Sequence, residues 1–269
     1  MNEPTIQFAD VVRHGAVALD DPAETYHEAS RLYPSTVAAA LPGLALIESD
    51  RAAYASTTRS SRRHPHREGI DLPRPRPLRA GLGRALSRRI SQSPARGTPL
   101  PLSAVSTILH AAYAARATRR GTRRAVPSAG ALYPLELYAV CMRVAAAPPG
   151  LLHYDPFAHR LEQLDREGAL AGLTAGLTDA AVLEHAALVL VVTAMPWRAR
   201  FKYGDRGYRF ALLEAGHVAQ NALLACAALR LPALPIGGFF DRRIDAAVGA
   251  NGVDEVSLYV LVVGGRERR

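Results

Sequence analysis

The chain has 269 residues, 49% of them hydrophobic, enough for a sizeable core and too many for global disorder. Its formal net charge is +9, and its two cysteines, Cys141 and Cys226, form no CxxC pair, so structural zinc, an iron–sulfur cluster and a thioredoxin-like site lack support. Apolar stretches such as 186–195 fall short of the roughly 20 residues of a membrane span, and the start Met-Asn-Glu-Pro has no apolar signal region, so a cytoplasmic protein without a membrane segment is expected.

Residues 1–50 mix short helical patterns with loops and include Tyr26-His-Glu-Ala-Ser30. Residues 59–80 are rich in Pro and Arg without apolar periodicity and read as an extended linker or surface arm. Charge is concentrated nearby: 59–96 holds eleven Arg against Glu68 and Asp71, and the remainder of the chain is close to neutral. A second cluster, Arg116 to Arg124, puts five Arg in nine residues. Such patches suit nucleic acid, an anionic cofactor or an acidic partner. The absence of aromatic residues from 59–96 counts against a stacking surface, so nucleic acid ranks lowest.

From about Pro99 the pattern becomes regular. Ser103 is placed to N-cap a helix running to about Ala115, with Val105, Ile108, Leu109 and Ala112 on one face. Residues 135–144 read as a buried strand, and the runs 151–154 and 160–164 as a hairpin turning at Asp155-Pro156, with His153 and His159 facing solvent. A helical pattern at 166–184 precedes 186–194, which is continuous, β-branched and therefore a central strand. Residues 208–229 form a long helix, apolar on more than one face and so buried, with His217 a satisfied structural histidine. A strand at LPALPI, a short helix at 241–248 and a strand at 255–263 follow. This irregular interleaving favours α+β over a doubly wound parallel sheet. The division expected is an N-terminal extension, 1–86, with the arm at about 59–80, and a main domain, 87–269.

Four segments hold groups suited to chemistry. Arg88-Arg-Ile-Ser-Gln-Ser93 offers guanidinium forks and hydroxyl donors for a phosphate. Val126-Pro-Ser-Ala-Gly-Ala-Leu-Tyr-Pro-Leu-Glu-Leu-Tyr138 puts small residues ahead of a strand, where backbone donors can approach a flat ligand. A polar string from Phe201 to Asn221 opens the long helix, and Pro235-Ile-Gly-Gly-Phe239 bares backbone N–H groups after a strand. Of 33 basic residues only Lys202 is lysine, a compact donor whose pKa can be lowered, unlike that of arginine. His64 and His66 form HxH without further ligands in sequence, so no metal is expected.

In this order and spacing the four segments resemble the SagB/McbC-type dehydrogenases of the nitroreductase superfamily, over about residues 87–266. The segment Tyr26–Ser30 also resembles the N-terminal region of that family. The resemblance implies a nitroreductase-like fold, a mostly antiparallel sheet flanked by helices, and a homodimer holding FMN at the subunit interface. It implies FMN-dependent oxidation of azoline rings to azoles in a peptide natural-product precursor, with a cyclase or other biosynthetic-complex partner. By position, Arg89 and Ser91, with Arg88 nearby, would bind the phosphate. Ser93 stands where many nitroreductases carry a basic residue, which points to Arg266 or Arg268 as its replacement. Pro127, Ser128 and Ala129 would line the isoalloxazine ring, and Gly237 and Gly238 would offer N–H groups near its N5–O4 edge. Glycine at the first of these fits the azoline-oxidising branch. Lys202-Tyr203 matches the Lys–Tyr pair linked to catalysis there. The alternatives are a general NAD(P)H-dependent nitro or quinone reductase and a non-catalytic flavin-fold subunit of a biosynthetic complex.

Overall fold

The computed structural model describes residues 21–35, 37, 41, 43, 57 and 60–266, apart from 120 and 165–167. Its frame is a seven-stranded sheet ordered β1 (Gly69–Asp71), β8 (Arg160–Gln163), β7 (Gly150–Asp155), β5 (Leu135–Cys141), β9 (Ala186–Ala194), β11 (Val256–Gly264) and β10 (Ala233–Ile236). Every pairing in it is antiparallel. All nine residues of β9 are buried, because the strand lies inside the sheet and both faces are covered. Leu188, Leu190 and Val192 point into one core, Val189 and Val191 into the other, following the two-residue period of a strand.

The larger core is covered by α3 (Leu102–Tyr113) and α6 (Asp205–Leu229), the smaller by α4 (Ala169–Gly176) and α7 (Asp241–Val248). Val105, Ile108, Leu109 and Ala112 are fully buried, as their spacing predicts. Ser103 is not the cap of α3: Pro101 holds that place, without a side-chain hydrogen bond. Shorter elements complete the chain: α1 (Pro22–Ala29), α2 (Leu82–Arg88), α5 (Trp197–Tyr203), the pair β2 (Leu100–Pro101) and β6 (Val144–Ala145), and the hairpin β3 (Ala115–Thr118) with β4 (Gly121–Arg124). By length and composition α6 could cross a membrane, but half of its most apolar window is buried in this fold, as befits a core helix.

The segment from residue 60 to 80 is extended and fastened to the body. Its β1 closes the sheet edge on β8, and Leu72 enters the larger core. The N–H of Arg62 donates to Glu136 Oε1 at 2.7 Å and that of His64 to Glu162 Oε2 at 3.0 Å. Upstream, α1 docks on the start of α6. Arg209 donates to Ser30 Oγ and to the His27 carbonyl, and the Tyr26 and Tyr208 rings meet edge to face at 5.9 Å.

Candidate active site

The chain gathers most of its sequence-predicted site residues in two places, at opposite ends of α6. At the far end, α2 finishes at Arg88 with Arg89 as its C-cap. These two, Arg230 and Arg266 line a cavity of about 600 Å³ with no acidic side chain in its wall among the described residues. The backbone N–H of Gln92 donates to Ala233 at 3.0 Å and holds this segment against β10. Ser91 is exposed and stands outside the wall, although its neighbours Ile90 and Gln92 belong to it. Arg266 also donates to the Leu229 carbonyl at 3.3 Å; Arg268 lies outside the described residues.

Arg230 is a residue that sequence reasoning missed. It caps α6 in the left-handed region, φ 58° and ψ 47°, a place that favours glycine. An arginine is kept there at a steric cost, facing the cavity, and nothing local in the sequence marks it.

At the near end Gly204, with φ 52° and ψ −140°, separates α5 from α6. Lys202 is buried, and its ammonium lies 5.1 Å from the centre of the Tyr203 ring. The two meet the loop 127–130 at Gly130. A Cβ placed on that glycine would stand 2.7 Å from Tyr203 Oη and 3.1 Å from Lys202 Nζ. Gly130 also has φ 61°, so glycine serves both the turn and the close approach. Pro127 is exposed beside the half-buried Ser128 and Ala129.

Ser128 is tied inward. Its Oγ accepts the Tyr133 N–H at 2.9 Å and hydrogen-bonds Glu214 of α6. The Tyr113 hydroxyl donates to Glu214 Oε1 at 2.7 Å and accepts the Leu135 N–H at 3.2 Å. Burial raises the Glu214 carboxyl to about 7, against the pull of Ser128, Tyr113 and Arg124. Arg124 is itself buried, its guanidinium 4.1 Å from the Tyr113 ring and 4.7 Å from that of Tyr133.

Gly237 and Gly238 follow β10 at the surface, and a Cβ on Gly237 would meet nothing within 4 Å. His217 and Gln220 are exposed on α6, so His217 is no buried structural residue. The expectation for His153 and His159 also fails. His153 is fully buried, with Nε2 2.9 Å from Glu136 Oε2 and Nδ1 3.2 Å from Glu162 Oε2. Burial disfavours its charge, but the two carboxylates outweigh that and hold its pKa above the ordinary imidazole value. His159 bridges the hydroxyls of Ser106 and Tyr154 at 2.9 and 2.8 Å. Position in a hairpin located both histidines; the covering α3 and residues 60–64 were invisible to a local pattern.

Residues 86–265 match the model of the nitroreductase family. A Methanocaldococcus jannaschii protein named for the nitroreductases is 37% identical over 172 residues, covering 62% of this chain and 82% of its own. The microcin B17-processing protein McbC of Escherichia coli is 32% identical over 129 residues, 45% of this chain and 47% of McbC, less than half of either. Among solved structures, the E. coli microcin synthetase McbBCD complex with truncated pro-MccB17 bound contains a similar chain at a TM-score of 0.59 and 19% identity, covering 98% of this chain and 99% of that one; this likeness concerns the fold. The family match spans most of the sheet, both ends of α6 and all of the arginine-lined cavity but Arg266, and the chain is an oxidoreductase of the nitroreductase family.

Proposed function

We propose that the chain is an FMN-dependent dehydrogenase oxidising azoline rings, thiazoline or oxazoline, in a peptide natural-product precursor to azoles. The observation that carries this reading is the convergence of Lys202 Nζ and Tyr203 Oη on Gly130, beside Pro127, Ser128 and Ala129. The similarity to a microcin-processing protein, and to a complex that holds a truncated precursor peptide, supports a peptide substrate and a biosynthetic partner such as a cyclase.

The cavity of Arg88, Arg89, Arg230 and Arg266 suits the phosphate of FMN: it carries guanidinium forks and, among the described residues, no competing carboxylate. Ser91 would need a turn of its segment to join them. Gly237 and Gly238 leave space for a flat ring to approach their backbone. Lys202–Tyr203 and Ala227–Arg230 stand at opposite ends of α6, whose 25 residues rise about 37 Å. One mononucleotide does not span that distance within one chain. A homodimer resolves the mismatch, the phosphate cavity of one subunit meeting the 127–130 loop of its partner. On α6, Leu212, Leu213, Gly216, His217 and Gln220 form an exposed face suited to that contact.

Aromatising an azoline removes one carbon-bound hydrogen with its electron pair and a second as a proton. Bound FMN supplies the acceptor for the electron pair. The chain's own task is the proton, taken by Tyr203 Oη or Lys202 Nζ, with the other holding the charge that develops.

The test is single-turnover flavin reduction by an azoline peptide. Lys202→Arg keeps the charge and gives up the compact titratable amine; Tyr203→Phe keeps the ring and removes the hydroxyl. Each is expected to lose at least about tenfold in rate with its flavin retained. Wild-type rates in both variants would remove the pair from the mechanism. Nitroarene turnover with NADPH, in place of azoline oxidation, would favour the general reductase.

A further inference from the structure

The hairpin β3–β4 is a separate two-stranded ribbon in which Arg116 stands directly opposite Arg123. Like charges facing each other across a strand pair are destabilising, and a lone two-stranded hairpin is marginal to begin with. Arg116, Arg119 and Arg123 are all exposed, and none makes an ion pair among the described residues. Among the described residues Arg123 donates to a backbone carbonyl alone, that of Thr122. The nearby acid, Asp155, is turned into its own loop, where its Oδ1 accepts the N–H groups of Phe157 and Ala158.

The base of this unbalanced ribbon is fixed. Arg124 is buried against Tyr113 and Tyr133 and donates to the Ser60 carbonyl at 2.8 Å; the Ala115 N–H donates to Pro156 at 2.9 Å. Arg63 of the extended segment lies 4.9 Å from the centre of the Phe157 ring, which Arg124 also faces at 5.5 Å. The exposed Arg63 therefore joins the hairpin's cationic surface. Two residues beyond β4 the chain enters Pro127 and the loop that Lys202 and Tyr203 approach.

We propose that the β3–β4 hairpin, with Arg63, is the docking site for an acidic stretch of the peptide substrate. This rests on the peptide-substrate reading above and adds how that substrate is held. Carboxylates would neutralise the opposed arginines, and the free edges of the ribbon offer backbone groups to an extended chain. No aromatic residue lies in the ribbon to stack on bases, so a peptide fits better than a nucleic acid.

The test is fluorescence anisotropy on the FMN-loaded protein with a labelled Glu-Ser repeat peptide, its Gln-Ser counterpart, and oligothymidylate as competitor. The Glu-Ser peptide is expected to bind, to release with added salt, and to be favoured over both comparators. Replacing Arg116, Arg119 and Arg123 together by Ser should weaken it at least about fivefold, with the melting temperature equal or higher because an opposed like pair is gone. No Glu-Ser binding, equal affinity in the triple variant, or tighter binding of oligothymidylate would each overturn the proposal. Since these peptides hold no azoline ring, failure of azoline oxidation with intact Glu-Ser docking would count against the proposed reaction alone. Azoline oxidation with docking indifferent to the triple variant would count against the hairpin alone.

Discussion

Glu214 is a single carboxyl joining α6, α3 and the loop beside Lys202, and its environment makes it sensitive to pH. Its folded pKa, about 7, lies above the ordinary 4.5, so the fold prefers the neutral acid. The stability this brings is complete below about 4.5, declines as pH rises toward 7 and is absent above. Urea melts should therefore show the wild type losing on the order of 3 kcal/mol between about pH 5 and about pH 8, relative to Glu214→Gln. Parallel curves would mean that Glu214 is ionised in the folded protein. In the sequence this glutamate is one polar residue among many at the head of a helix. Its burial depends on Tyr113 and Ser128, far away in the chain, and no local pattern records that.

Elements with a strong period of their own were legible. β9 and α7 fall where the pattern puts them, because seven apolar residues in a row, 186–192, or a helical repeat carry their own signature. The edge strand β1 was not, since its pairing with β8 joins residues about ninety apart and a Pro-rich stretch advertises no partner. The same divide runs through the site. Arg88, Arg89 and Arg266, which the sequence singles out, line one cavity, while Arg230 entered only through the geometry of a helix end. That end offers a test. Arg230→Gly should stabilise α6 by about 0.5–1 kcal/mol by relieving the left-handed cap, and should weaken retention of flavin mononucleotide. Calorimetry and flavin release read the two effects, and a variant that is more stable but holds flavin equally well would exclude Arg230 from the phosphate site.

At the scale of the whole molecule, α6 buries one side in the core and leaves Leu212 and Leu213 exposed at 43% and 57%. Two such residues beside Gly216 suit a self-complementary contact between copies. Leu213→Arg, projecting from an exposed face, should leave the fold intact, shift light scattering from the proposed dimer to the 28.9 kDa monomer and empty the proposed flavin site. A monomer that keeps its flavin would contradict the shared site. The separation of the two half-sites along α6 also has a genetic corollary. In the proposed homodimer Arg89→Ala would damage one half-site and Lys202→Arg the other, so each variant would be crippled at both of its centres. Unfolded together and refolded as a mixture, the two proteins would yield hybrids in which both lesions fall in one centre and the other is assembled from undamaged halves. Two inactive preparations would thus restore activity to each other, as alleles do in intragenic complementation.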